Sequence, residues 1–185
     1  MKYLEGIIHK CIALLKLYLL KMIYYSKINF HFNESISIST KIKVKGQGRI
    51  ILGKGISTRR NVEFNSNQGG IIKIGDSSFF NNNCMIASHE KIEIGDDCSF
   101  GLNVIIYDHD HDFKIRGRKK LGKYKTSPIK IGNNVWVGAN VVILRGVTIG
   151  DNSVITAGTI VRENVSENVI YCSKIENSEK KYQIN

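Results

Sequence analysis

Between Ile129 and Val165 the hydrophobic pattern of the chain repeats every six residues. Stepping by six from Ile131 gives Val137, Ile143, Ile149, Ile155 and Val161, all branched and aliphatic. The residue after each rung reads Gly132, Gly138, Leu144, Gly150, Thr156 and Arg162. The residue two before it reads Ile129, Val135, Val141, Val147, Ser153 and Thr159. A period of six is neither the 3.6 of a helix nor the simple alternation of a strand. It predicts a short strand and a turn, repeated, with each rung pointing inward and the glycine after it letting the backbone bend. Three such faces close one triangular coil of 18 residues, and Ile131 to Ile149 spans one coil.

The same phrase, aliphatic-x-aliphatic-Gly, stands upstream at Ile50–Gly53, Ile72–Gly75 and Ile92–Gly95. The rungs that follow are Leu52, Thr58 and Phe64, then Ile74, Phe80 and Ile86, then Ile94, Phe100 and Ile106. These coil starts are 22 and 20 residues apart, which places small bulges near residues 65–70 and 88–91. The next interval, Ile94 to Ile131, is 37 residues, so one corner carries an insertion of about 19 residues between Tyr107 and Pro128. A long loop leaving a regular scaffold is where function usually sits. Residues 29–48, with Ile36, Ile38, Ile42 and Val44, read as irregular first coils.

Ahead of them, residues 2–28 read as an amphipathic α-helix, with Leu4, Ile7, Ile8, Cys11, Leu14, Leu15, Tyr18, Leu19, Met22 and Tyr25 at helical spacing. Lys10, Lys16 and Lys21 interrupt every apolar run, which argues against a span of about 20 residues. Two roles stay open. The helix packs on the solenoid end, where an open coil must be covered, or it lies on the inner membrane leaflet. Packing is preferred, because cores use such stripes more often than membranes do. The expected organisation is a helix over 1–28, a β-helix over 29–172 with a loop insertion at 107–128, and a polar tail over 173–185.

Composition narrows the partners. One domain suits 185 residues. The near absence of proline beside 17 glycines suits a solenoid of tight turns. A net charge of +11 favours anionic partners, but no nucleic-acid motif accompanies it, so phosphate- or carboxylate-bearing ligands are expected and nucleic acid is not. Cys11, Cys84, Cys98 and Cys172 form no CxxC pair. Cys84 and Cys98 fall on the small inward-facing phase and read as buried, reduced core residues. With no cleavable secretory signal evident, a reducing cytoplasm is expected, peripheral to the inner membrane if the helix touches lipid.

The run from Ile131 to Asn140, with its Trp-Val-Gly-Ala at 136–139, and the run from Ile149 to Val161 resemble the hexapeptide-repeat acyltransferases, which include galactoside, maltose, virginiamycin and capsular-sugar O-acetyltransferases. The resemblance covers roughly residues 50–170. It implies an all-β, left-handed parallel β-helix, a homotrimer, and transfer of an acetyl group from acetyl-CoA to a sugar hydroxyl of a capsule, lipopolysaccharide or sialic-acid-type glycan. Periodicity alone does not give the hand, since crossovers are usually right-handed.

The insertion opens Tyr107-Asp-His-Asp-His-Asp-Phe113, and a basic arm follows with seven Lys or Arg between 114 and 125. A sugar hydroxyl must lose its proton as it attacks a thioester, and histidine suits that task. The resemblance implies such a base at the mouth of this loop and aligns it best with His111, next to Asp112 and Phe113. His109 is the rival, because the loop absorbs a small shift of register. One of Asp108, Asp110 and Asp112 is expected to fix the tautomer of the base. Asn83 matches an acceptor-contacting asparagine in the resemblance, with turn chemistry as the other reading, and Asp112 is a second candidate for acceptor contact. Trp136, Ala139, Ala157, Gly158, Arg162 and Lys174 match positions that line the acetyl-CoA groove between neighbouring subunits. The family's closing Gly-x-Pro phrase is missing, and Tyr171-Cys-Ser-Lys174 stands in its place. Three alternatives accompany this reading: N-acetylation of a nucleotide-linked amino sugar, a γ-carbonic-anhydrase-like zinc enzyme using His89, His109 and His111, and a non-catalytic scaffold. The O-acetyltransferase reading expects no metal.

Overall fold

The computed structural model of the chain describes residues 2–31, 35–112 and 123–172. The basic arm from 114 to 122, the tail from 173 and Lys174 lie outside the described residues. After helix α1 (Lys2–Ile23), the chain winds a parallel β-helix whose strands stack into three six-stranded faces. The first face holds β1 (Ile28–Asn29), β3 (Arg49–Leu52), β6 (Ile71–Ile74), β9 (Lys91–Ile94), β14 (Ile129–Ile131) and β17 (Thr148–Ile149). The second holds β4 (Ser57–Thr58), β7 (Phe79–Phe80), β10 (Ser99–Phe100), β15 (Trp136–Val137), β18 (Val154–Ile155) and β20 (Ile170–Tyr171). The third holds β2 (Lys41–Val44), β5 (Glu63–Ser66), β8 (Met85–Ser88), β11 (Ile105–Tyr107), β16 (Val142–Ile143) and β19 (Ile160–Val161).

Every rung read from the sequence is inside. Leu52, Phe64, Ile74, Phe80, Ile86, Ile94, Phe100, Ile106, Val137, Ile143, Ile155 and Val161 belong to one buried core, and Thr58 is buried with them. Identical positions stack coil on coil, so Phe80 lies face to face with Phe100 at 4.6 Å between centroids, and across the interior it meets Phe64 of the third face edge-on at 5.3 Å. Cys84 and Cys98 are buried free thiols, as their phase implied, and burial pushes Cys84 up to about 11.

Two expectations need correction. The first coil is not irregular: Ile28 pairs with Ile50, Ser35 bridges Ser57 and Ile42 pairs with Phe64, so the regular winding starts a full coil earlier. The glycines after the rungs do not serve as hinges. The left-handed residue sits three after the rung, and it is Asn134, Asn140, Gly146, Asn152 and Gly158 in turn. Gly138 is required because the next coil crowds it: a Cβ there would stand 2.6 Å from the Ala157 backbone nitrogen. Asparagine takes the left-handed turns because its short polar side chain tolerates that backbone. Its amides then bond from coil to coil, as in Asn61–Asn83–Asn103–Asn140.

Helix α1 closes the open end. Ala13 and Leu17 are buried, Leu20 and Tyr24 pack on the core, and Lys16 Nζ donates to the carbonyls of Ile38 at 2.7 Å and Thr40 at 2.5 Å. Among the described residues no helix is long and apolar enough to cross a membrane. The insertion after Tyr107 leaves the third face as an antiparallel hairpin, β12 (His109–His111) paired with β13 (Tyr124–Thr126).

Candidate active site

The third face sets up the site by alternation. Along β8 and β11 the even positions point inward and the odd ones outward, so Ile106 is a rung and Asp108, two residues on, also points into the wall. Below it on the same inward row are Ser88 and Ser66, which pair in register. Asp108 is fully buried. Its carboxylate accepts from the Ser88 hydroxyl at 2.7 Å, the His89 backbone N–H at 2.8 Å and the Glu90 backbone N–H at 2.9 Å, and it meets His109 Nδ1 at 3.2 Å. Burial alone raises its pKa. The hydrogen bonds, His109 first, more than offset burial and hold it below the usual carboxylate range.

That protonation state fixes the imidazole. An ionised carboxylate only accepts, so Nδ1 of His109 carries the hydrogen, and in the neutral ring Nε2 is left as the acceptor. Hairpin geometry places the rest. His109, Asp110 and His111 pair with Thr126, Lys125 and Tyr124, and the Tyr124 ring touches His89 at 4.2 Å, His111 at 4.8 Å and His109 at 5.3 Å between centroids. His89 lies 4.0 Å from His109, and its buried Nδ1 has no hydrogen-bond partner. Burial, then the neighbouring His109, lower the His89 pKa against the opposing pull of Asp108, which favours the neutral ring. Met85, Ala87 and Tyr107 form the apolar side of a cleft of about 320 Å³ whose other side is His109, Asp110 and His111.

Of the three aspartates proposed to orient the base, only Asp108 touches a histidine ring in these contacts. Asp110 binds Arg145 Nε at 2.6 Å, and Asp112 faces Lys125 Nζ at 3.7 Å. The signal for Asp108 was in the sequence: a carboxylate standing two residues past a rung occupies an inward position. Tyr124 had no such signal, because its place depends on how the hairpin folds back, whereas His89 was already grouped with His109 and His111 as a possible metal set. Among the described residues no group of three His, Cys, Asp or Glu side chains is arranged to hold a metal ion.

The remaining candidates fall elsewhere on the solenoid. Asn83 has a left-handed backbone, both ends of its amide are engaged along the corner ladder, and it lies two residues before Met85 of the cleft. Ala139, Ala157 and Gly158 share that corner, joined by a bond from Gly158 N–H to the Ala139 carbonyl at 2.8 Å. Gly158 has a φ of +73°, and nothing lies within 4 Å of where its Cβ would be. Trp136 is exposed on the second face just before the corner. Arg162 is exposed at the far edge of the third face, one residue beyond the row Ile106, Ile143, Val161. Within one chain the corner and the histidines therefore stand at opposite edges of the same face, with Met85 and Ala87 of the cleft between them.

A family model described as Bacterial transferase hexapeptide (six repeats) matches residues 128–163. A Saccharomyces cerevisiae protein provisionally named an acetyltransferase is 36% identical over 154 residues, 82% of this chain and 78% of that one. The galactoside O-acetyltransferase of Escherichia coli is 43% identical over 102 residues, 55% of this chain and 50% of the enzyme. The chain thus spans about half the length of that enzyme. Among solved structures, an N-acyltransferase from Bacillus cereus in complex with dTDP and 3-hydroxybutyryl-CoA superposes with a TM-score of 0.69 at 22% identity, over 85% of this chain and 83% of that one. At that identity the likeness is one of fold.

Proposed function

The chain belongs to the hexapeptide-repeat acyltransferases, and from that premise, as an acetyltransferase that uses acetyl-CoA, we propose that it esterifies a sugar hydroxyl of a cell-surface glycan. The observation that carries the mechanism is the Asp108–His109 pair at the mouth of an apolar cleft. Nε2 of neutral His109 takes the proton of the acceptor hydroxyl as its oxygen attacks the thioester carbonyl carbon. The C–O bond forms, the C–S bond breaks, and the imidazolium returns the proton to the departing sulfur. Buried Asp108 steadies the ring and its transient positive charge. The proposed base is thus His109, on the strength of its carboxylate. His111, exposed and in tilted contact with Tyr124, faces the acceptor from the same side of the cleft as His109, with Asn83 and Asp112 as outlying acceptor contacts.

Ala139, Ala157 and Gly158 offer a corner without bulky side chains, open enough for a pantetheine arm to reach backbone amides. Trp136 flanks it with a ring, Arg162 supplies a cation from the far edge of the same face, and Lys174 is assigned to the same groove from the resemblance. Because this corner and the histidines lie at opposite edges of one face, a complete site takes the corner from one copy and the histidines from its neighbour. That favours a homotrimer with three seams.

Hydroxyl acceptors are preferred over amines because the relative named an O-acetyltransferase is 43% identical, whereas the N-acyltransferase is a neighbour in fold alone. The test is thiol release from acetyl-CoA against a panel of neutral, acidic and amino sugars, with each product treated with mild alkali. An O-acetyl ester is cleaved and an amide survives. Turnover only with amino sugars, giving alkali-stable products, overturns the hydroxyl reading. Loss of transfer in His111→Ala with His109→Ala active moves the base to His111.

A further inference from the structure

Helix α1 carries two apolar stripes, and the one read from the sequence, with Ile8, Leu15, Tyr18, Leu19, Met22 and Tyr25, is exposed rather than packed on the solenoid. Ala13, Leu17, Leu20 and Tyr24 face the solenoid. A second stripe, Ile8, Ile12, Leu15, Leu19, Met22 and Ile23, is solvent-exposed, from 43% at Ile12 to 72% at Ile23. At about 100° per residue the two stripes lie on nearly opposite sides of the helix. The capping role therefore accounts for only one of them. A contiguous exposed row of this kind marks an interaction surface.

Charge identifies what it meets. Residues 1–60, which form α1 and the first coils, hold twelve Lys or Arg and two acidic residues, a net of +10 out of +11 for the whole chain. The remaining 125 residues are nearly neutral. Arg59 and Arg60, with Ser35, Ser37 and Ser57, line an open cleft of about 520 Å³ in these coils, and no carboxylate pairs with either arginine in the described ion pairs. An apolar stripe on the cap of a strongly basic end is the combination that holds a protein on an anionic lipid surface.

We infer that α1 docks on a bilayer bearing anionic headgroups, with the stripe from Ile8 to Ile23 seated among the acyl chains and the basic first coils over the headgroups. Neighbouring coils stack about 4.8 Å apart, and the cleft strand β11 is three coils beyond β1, so the cleft stands roughly 15 Å from the capped end. On the acetyltransferase reading, that height suits an acceptor sugar carried on a lipid.

Flotation of the full chain with vesicles of phosphatidylcholine alone, or containing one-third phosphatidylglycerol, tests the inference. Binding is expected only to the anionic vesicles, and it weakens several-fold between 0.05 and 0.5 M salt, two conditions on either side of a roughly 10 Å Debye length. The variant Leu15→Glu with Leu19→Glu changes two exposed side chains and is expected to lower binding at least tenfold, with the thermal melt and turnover of a soluble acceptor unchanged. No binding to anionic vesicles, or binding that the double variant leaves intact, overturns the inference. A double variant that instead dissociates a larger assembly in solution, without any vesicle binding, shows that the stripe meets a second copy. Acetyl transfer to a soluble acceptor is read separately, so failure of docking and failure of the enzymatic reading cannot be confused.

Discussion

Two coils begin with nearly the same words and end differently. The coil opened by β14 runs through β16 to Leu144, Arg145 and Gly146 and turns directly into β17, with an aliphatic residue at every inward rung. The coil opened by β9 runs through β11, places a carboxylate on the inward row, and leaves the wall as a hairpin before returning at β14. The fold does not need that charge, since a valine or alanine would close the coil without desolvating an ion. Asp108 is kept soluble in the wall by one hydroxyl and two backbone N–H groups of the coil below, and its remaining interaction is spent on His109. Repetition makes a robust wall, and the break in repetition makes chemistry.

The largest effect is expected at that break. His109→Ala lowers kcat/KM for acetyl transfer by about 10²–10⁴-fold while the melting temperature stays within a few degrees. His111→Ala retains much more activity. Equal losses in both variants would erase the distinction between a seated ring and an exposed one.

The regular wall breaks in the opposite sense. Phe80 is fully buried between Phe64 and Phe100. Phe80→Ala is expected to cost about 3–5 kcal/mol of stability, read by denaturant unfolding, without changing kcat at a temperature where the fold persists.

Acid sharpens the comparison further, because His89 and Asp108, the two shifted groups that titrate on the acid side of neutrality, both belong to the interrupted coil or touch it. His89 has a lowered pKa in the fold, so the unfolded chain binds its proton first as pH falls. Stability is full above the ordinary histidine range and declines below it. Asp108 is also lowered, so its contribution is full above the ordinary carboxylate range and is lost as pH falls through its folded value. A melting temperature that drops between pH 7 and 5, with a smaller drop in His89→Gln, is the expected result.

The wall was legible because its signal is repeated. A rung such as Val137 is supported by Ile131 and Ile143 on either side, so one misread residue changes nothing. The first coil was misjudged because Ile36 and Ile38 suggest alternation, while only Ile36 is buried and Ile38 lies in an exposed turn. At the site, His109 and His111 were visible as a pair, but choosing between them needed the contact of His109 with Asp108. The approach of Tyr124 and His89 spans the hairpin and a full coil. No local pattern encodes such a meeting, and each of these residues occurs once.

The smallest effect tests what the corners contribute. Asn103 has a φ of +57°, accepts from the Asn83 amide at 3.2 Å and donates to Asn140 at 2.9 Å, all at an exposed corner. Water replaces much of each bond, so the ladder itself is worth little, whereas the left-handed backbone penalises any residue with an ordinary Cβ. Asn103→Ala is therefore expected to cost about 1 kcal/mol, and Asn103→Gly, which loses the same amide but accepts the backbone, is expected to cost less. If the two substitutions are equally damaging, the amide ladder rather than the turn holds this corner, and the asparagines are part of the wall's strength and not only of its curvature.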